Sequence, residues 1–244
     1  MHQIATTAAF MLALVPSVYG HGKITSPPIR EPGSAMEAVC GQQVFNNQNS
    51  NDQGNSQNEL QVALTQTDYN AAKCNLFLCK GYQFEDNTAN VQTFSPGQVI
   101  PMTAVISAPH TGTCNVSVVN ALTNTQISDN LIFFPDYASN AHPIPANNTA
   151  FSITMPTNLG NQCNTPGTCV IQWWWNAASI NQTCESCVDF VMSGSGSGTI
   201  PNPTTTTASM TTTTTTSDNS CEADDVGGTI CTWFDQSATE MVII

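Results

Sequence analysis

Positive charge is what this sequence has least of. Lys23, Arg30, Lys73 and Lys80 are its four cations, against seventeen Asp and Glu in 244 residues, for a formal charge of −13 and a pI near 4.2. Binding nucleic acid by neutralising phosphates needs clustered Lys and Arg, so that class is excluded. An anionic membrane surface is disfavoured on the same ground. Long hydrophobic runs are also missing. Outside the N-terminus nothing reaches the roughly 18 apolar residues that a spanning helix requires. Charged residues make up 9% of the chain and hydrophobic ones 40%, with ten cysteines and abundant Asn, Gln, Ser and Thr. That balance indicates an extracellular, disulfide-bonded protein of one domain, or one domain plus appendages.

Residues 1–20 read as a secretory signal peptide. An apolar stretch from Ala8 to Val15 leads to Gly20, with Val18 two residues before it, although Lys and Arg are absent from the first residues. Cleavage after Gly20 gives a mature chain that begins with His21. Such a residue carries an α-amine with a pKa near 7.7 and an imidazole near 6.5. Both can act as neutral nitrogen donors near neutral pH, and together they form a chelate. Residues 21–192 hold the hydrophobic runs and eight of the cysteines. Residues 193–217 are a Gly/Ser stretch followed by Thr-rich low complexity, expected to be a flexible stalk bearing O-linked sugars. Residues 218–244 are a short acidic tail with Cys221, Cys231 and Trp233, too small for a core and without an assigned role. Its closing residues, Met241 to Ile244, are too few for a lipid-anchor signal.

Within residues 21–192 the pattern is mostly strand. Val99–Ala108, Cys114–Asn120, Asn130–Phe134, Ala150–Met155, Cys169–Trp175 and Cys187–Met192 are short and rich in β-branched or aromatic residues. Turn formers such as Ser95-Pro96-Gly97 and Thr165-Pro166-Gly167 separate them. Short strands on long polar connections predict an antiparallel β-sandwich. Residues 46–58 read as a polar loop, with a helical turn or two from Leu60–Leu64 and Tyr69–Cys79. Connectivity of cysteines is not fixed by sequence. Spacing suggests small loops closed by Cys74–Cys79 and Cys163–Cys169, a staple from Cys40 to Cys187, and Cys221–Cys231 in the tail, leaving Cys114 and Cys184. Asn115, Asn147 and Asn181 begin N-x-S/T sequons, acceptors for surface glycosylation.

The candidate chemistry lies in His21 and His110. A lone loop histidine is usually a solvated or hydrogen-bonded residue, and His142 in Asn140-Ala141-His142-Pro143 fits that description. His21 differs because cleavage makes it bidentate. His110, in Ala108-Pro109-His110-Thr111-Gly112, follows a strand, where rigid elements aim a side chain left open to solvent. Amine and two ring nitrogens make three nitrogen donors, an arrangement suited to one Cu(II) ion. Gln172, on the strand that leads into Trp173, Trp174 and Trp175, is placed either to hydrogen-bond a copper-bound oxygen from behind the ligands or to serve as an ordinary sheet residue. No carboxylate pair stands out for glycoside hydrolysis.

Several stretches together resemble the lytic polysaccharide monooxygenases, most of all the fungal sixteenth auxiliary-activity family. They are residues 21–45, beginning His21-Gly22-Lys23-Ile24, residues 74–92, 95–102 and 108–112, and residues 169–177 through to 187–190. The resemblance covers residues 21–192 and none of the tail. It implies an immunoglobulin-like or fibronectin-like sandwich, a copper brace made by His21 and His110, and oxidative cleavage of β-1,4-glucan. Cellulose oxidised at C1 is the implied substrate, with hydrogen peroxide or dioxygen and an external electron donor, in a secreted monomer. One position departs. Three residues before the cysteine matching Cys187 these enzymes carry Tyr or Phe toward the copper's axial direction, and this chain has Cys184. Cys114 is also extra, which suggests a Cys114–Cys184 disulfide or, alternatively, a Cys184 thiolate on copper. The amide-rich residues 46–58, on the implied substrate face, lack the aromatics usual there. A glycan on Asn115 or Asn181 would crowd the copper face. Two other readings stay open: a copper-binding paralogue without oxygenase activity, and a non-catalytic polysaccharide-binding protein of the cell wall.

Overall fold

A computed structural model describes residues 21–193, with the backbone of residues 221–223 and 229–231. The chain divides into two units, residues 1–198 and 199–244. In the second, β10 (Cys221–Ala223) and β11 (Thr229–Cys231) pair antiparallel with Cys221 opposite Cys231. The side chains of a Cys221–Cys231 bridge lie outside the described residues. So do the expected signal peptide at 1–20, the linker beyond Ser193, and the rest of the tail.

The first unit is the expected all-β sandwich, stapled by disulfides. One sheet is β1 (His21–Ser26), β3 (Val99–Ala108) and β7 (Ala150–Thr154), in the order β1-β3-β7. The other runs β2 (Gln92–Phe94), β9 (Gln182–Met192), β8 (Cys169–Ala177), β4 (Gly112–Asn120) and β5 (Thr125–Gln126), with β6 (Ile132–Tyr137) also on β4. Only β2 against β9 is parallel among the described pairs. Alternation fixes the core. Ile24, Met102, Ile153, Val116, Ile171, Trp173, Trp175, Val188 and Phe190 all turn into one cluster between the sheets.

A third layer, helical, covers the outward face of β9. It comprises α1 (Ser34–Cys40), α2 (Gln42–Ser50) and α3 (Ser56–Ala63). Much of the expected polar loop at 46–58 is therefore helix. The helices form from poor material because distant side chains satisfy their free N–H groups. Asp86 accepts from the amides of Ala35 and Met36 at 2.9 Å each, while Asp68 and Gln66 accept from Gln42 and Gln43 at 2.9 Å each. Only α3 caps itself locally, Asn55 accepting from the Asn58 amide at 3.0 Å. Met36 and Cys40, one turn apart on α1, and Val44 on α2 then supply the apolar side.

Two expected disulfides are corrected. The bonds are Cys40–Cys74 and Cys79–Cys187, not Cys74–Cys79 and Cys40–Cys187; Cys163–Cys169 is present. Residues 74–79 bridge two cores. Cys74 lies among Met36, Cys40 and Val44 in the helical layer, while Cys79 packs on Val119, Val170 and Cys187 of the larger sheet. Each cysteine bonds within the cluster that buries it. Gly81 is required beside the first bond. Its φ is +78°, and a Cβ there would stand 2.8 Å from the Cys40 sulfur and 3.0 Å from that of Cys74.

A Cys114–Cys184 bond is also excluded. Cys114 is in register with Trp175, and Trp175 with Cys184, so one strand separates the two cysteines. Two strand spacings put their Cα atoms roughly 9.5 Å apart, beyond the roughly 4.4–6.8 Å that a disulfide spans. Both are buried thiols on either side of the Trp175 ring.

Loop length predicts unequal disulfide contributions. Cys79 and Cys187 are 108 residues apart, Cys163 and Cys169 only 6. Replacing Cys79 and Cys187 by Ser should cost about 5 kcal/mol in urea unfolding, against about 2 kcal/mol for the Cys163, Cys169 pair. Non-reducing peptide mapping should recover Cys40–Cys74, and a Cys74–Cys79 peptide would contradict the fold.

Candidate metal centre

His21 opens β1 directly opposite Ala108, the last residue of β3, and His110 follows two residues later. One strand pair thus carries both histidines to the same end of the sandwich. That end is closed by the start of β4, the end of β8 and the start of β9, since Thr113 pairs with Asn176 and Asn176 with Thr183. The His110 side chain is mostly buried, with Nδ1 3.4 Å from the Ala108 carbonyl oxygen. Its backbone is fixed from within the core, where Trp175 Nε1 donates to the His110 carbonyl at 3.2 Å. β1 lies close on the tryptophans. A Cβ on Gly22 would be 2.8 Å from the Val105 carbonyl oxygen and 3.2 Å from the Trp175 ring. Only glycine lets the residue after His21 approach so nearly.

The segment joining α2 to α3 holds the other side of His21. The Gly22 amide donates to the Gln53 carbonyl at 3.1 Å, and Ser107 Oγ donates to Gln53 Oε1 at 2.5 Å. Lys23 pairs with the Asp52 carboxylate, and Lys80 donates to the Asp52 carbonyl. A cavity of about 230 Å³ opens beside His21, lined chiefly by Asn47, Asn51, Asn55, Asn58 and Glu59. The amide-rich stretch expected near the substrate face does border His21.

Cys184 lies beneath this first turn of β1. It is buried, its sulfur 3.9 Å from the Gln53 carbonyl oxygen. Burial pushes its thiol up to about 11, although Lys80 and the Gly22 amide pull it down. Gln172 is a correction. It sits on the outward face of β8, turned from the inner side where Trp173 and Trp175 meet β1, and its amide donates to Glu185 Oε2 at 2.9 Å. The structure does not bring it to the histidines. Gln182, two residues before Cys184 and hence on its face, is buried at the histidine end. Counting in twos from Cys184 would have found it. Asn115 also points outward, opposite Trp174, so a glycan there would not crowd His21. Asn181 does lie at this end, exposed in the left-handed turn between β8 and β9. Asn147 is exposed in the turn before β7.

Nitrogen dominates the donors here. Among the described residues no three His, Cys, Asp or Glu side chains cluster as a metal site. Two imidazoles and the α-amine of a chain cut before His21 would fit a borderline metal preferring nitrogen, and Cu(II) above the others. Residues 21–190 match the family model described as lytic polysaccharide mono-oxygenase, cellulose-degrading, and the chain belongs to that family. No curated protein matches it. Solved structures with likeness include a Cu(I)-bound CBM33 protein from Bacillus amyloliquefaciens, at 15% identity over 71% of this chain and 100% of that one, TM-score 0.39. A chitin binding domain from Burkholderia pseudomallei gives 10% identity, 71% and 100% coverage and TM-score 0.40. An AA15 monooxygenase from Thermobia domestica in the Cu(I) state gives 14%, 70%, 98% and 0.34.

Behind the site sits a buried pair that composition alone did not mark. Glu185 accepts from Ser56 Oγ at 3.0 Å and from Gln172, with the buried Lys80 nearby. Burial pushes Glu185 up to about 7, opposed by those hydrogen bonds and by Lys80, and burial pushes Lys80 down. A carboxyl with its folded pKa above an unfolded 4.5 binds its proton more tightly when folded. Its contribution is present below pH 4.5 and lost as pH rises to about 7. Glu185→Gln should therefore flatten the fall in stability between those pH values, a change on the order of 3 kcal/mol. Urea midpoints at pH 4.5 and 7.5 measure it; an unchanged slope rules it out.

Proposed function

We propose that this chain is a secreted, copper-dependent polysaccharide monooxygenase acting on β-1,4-glucan, with cellulose oxidised at C1. The observation that carries the reading is the pairing of His21 with Ala108, which brings His21 and His110 to one end of the sandwich in a member of this family. The finer likeness to the sixteenth auxiliary-activity family rests on the sequence stretches named above. In this reading residues 1–20 are removed, and His21 and His110 hold one copper ion. Copper, when bound, supplies one-electron chemistry that an external donor and peroxide or dioxygen turn against a C–H bond beside the glycosidic oxygen.

The chain's own residues position the reactants. His21 gives amine and ring nitrogens, and the Gln53 carbonyl holds the next peptide through the Gly22 amide. Trp175 fixes the His110 backbone. Asn47, Asn51 and Asn58 present planar amides to sugar hydroxyls beside His21. Cys184 favours a second reading, a copper-binding relative without oxygenase activity, because a small thiol replaces the aromatic ring that the resembled enzymes carry.

An N-terminally sequenced protein with one equivalent of Cu(II) tests this. An axial three-nitrogen EPR signal and aldonic-acid products from amorphous cellulose with ascorbate are expected. His110→Ala, or one extra residue before His21, removes a ligand outright. Each should weaken copper binding by more than the roughly 100-fold that losing a supporting hydrogen bond can cost. Tight copper without oxidised products, regained in Cys184→Tyr, would select the second reading. No tight copper would refute both.

A further inference from the structure

Away from β9, the outward face of the larger sheet carries aromatic side chains that nothing above employs. Phe133 on β6, Asn115 on β4 and Trp174 on β8 stand in register in one row, so all three point outward together. Phe133 is 52% exposed and Trp174 half-buried. The Phe77 ring lies 6.4 Å from that of Trp174, tilted by 42°. A groove of about 350 Å³ runs alongside, lined by Phe77, Trp174, Asn115, Ser117, Asn124 and Gln126. Rings flanked by planar amides are the surface a sugar selects. Its C–H faces stack on the rings, and its hydroxyls exchange hydrogen bonds with the amides.

We infer that the occupant is the chain's own N-linked glycan on Asn115, its first sugars seated between Phe133 and Trp174. Three observations favour this over a free polysaccharide. Asn115-Val116-Ser117 is a sequon centred in the row. The Asn115 side chain makes no hydrogen bond among the described residues. Of the three sequons, this one alone has in-register aromatic neighbours, Asn147 and Asn181 lying in exposed turns. Ser117 is 2% exposed, so attachment precedes folding of β4. The step joins Asn115 Nδ2 to the anomeric carbon of a lipid-pyrophosphate-linked oligosaccharide. The amide loses a proton and the lipid pyrophosphate leaves. The inference rests on the secretory reading given under Proposed function.

Mass spectrometry of the secreted protein should find Asn115 occupied. A chain that begins at His21 with Asn115 empty overturns the inference and leaves the secretory reading intact. Asn115→Gln should lower Tm by about 2–4 °C in the wild-type background, and by nothing measurable when Trp174→Ala has removed the platform. Phe133→Ser, at an exposed ring, gives the same comparison should Trp174→Ala fail to fold. Equal falls in both backgrounds, or none in wild type, overturn the proposal. So does Trp174-dependent binding of soluble cello-oligosaccharides by secreted protein whose Asn115 is bare, which would assign the surface to a free glucan.

Discussion

The outward face of β9 is buried although half its residues are polar, and a buried polar group without a partner costs free energy comparable to a lost hydrogen bond. Everything laid over that strand answers this demand. Reading outward along it, Thr183 accepts from Gln57 at 2.8 Å and Glu185 from Ser56 and Gln172. Cys187 is bonded to Cys79, and Asp189 takes a two-pronged pair from Arg30 at 2.7 and 2.8 Å. Four successive outward positions thus tie the sheet to what covers it, with α3 held at Thr183 and Glu185, the turn at Cys79 held at Cys187, and the segment before α1 held at Asp189. Replacing one partner of the Arg30–Asp189 pair would leave a charge stranded in the interior, whereas the intact pair adds little net stability because both ions had to leave water.

This fastening reaches the candidate site. With α3 fixed by Ser56 and Gln57, the segment from Asn51 to Asn55 has little freedom, and Lys80 and Lys23 grip it at Asp52. Its Gln53 carbonyl is then in place to hold the peptide that follows His21. Of the four cations in the chain, Lys23 and Lys80 hold Asp52 between α2 and α3, and Arg30 holds Asp189 of β9. The scarcity that excludes a nucleic-acid surface also means that no cation is idle near the histidines.

What could be read from sequence follows the distance over which each pattern acts. Val99–Ala108 reads as a strand because its side chains alternate between core and solvent, and it is one. Gln182–Ser186 does not, because its outward side chains are polar yet buried, and their partners on α3, Ser56 and Gln57, lie 126 or more residues away. The first two helices, α1 and α2, were hidden for the same reason, since Asp86, Gln66 and Asp68 cap them from outside. Cysteine pairing failed where it depended on which core each residue joins. It held for Cys163 and Cys169, which a turn alone brings together. His21 and His110 stand out in the sequence because one lies at an expected cleavage point and the other just past a clear strand, and the strand pairing brings both to one end of the sandwich. Gln172 was misplaced because alternation along β8 puts it with Trp174, outside, while Trp173 and Trp175 go in.

The three consecutive tryptophans divide the labour of the larger sheet between its faces. Trp173 and Trp175 pack against Tyr137 with centroids 6.0 and 5.7 Å away, and their rings form the floor on which Gly22 rests. Trp174 faces the other way, to a groove lined with amides. A one-residue slip of β8 would exchange these roles, turning Gln172 and Trp174 into the core and the floor beneath β1 outward. Register on this strand is therefore set twice over. Outside, Gln172 must meet Glu185, and inside, Trp175 must reach the His110 carbonyl. Those two hydrogen bonds lie on opposite faces, so no single shift satisfies both. The geometry at the histidine end is in this way bound to polar contacts that never touch it.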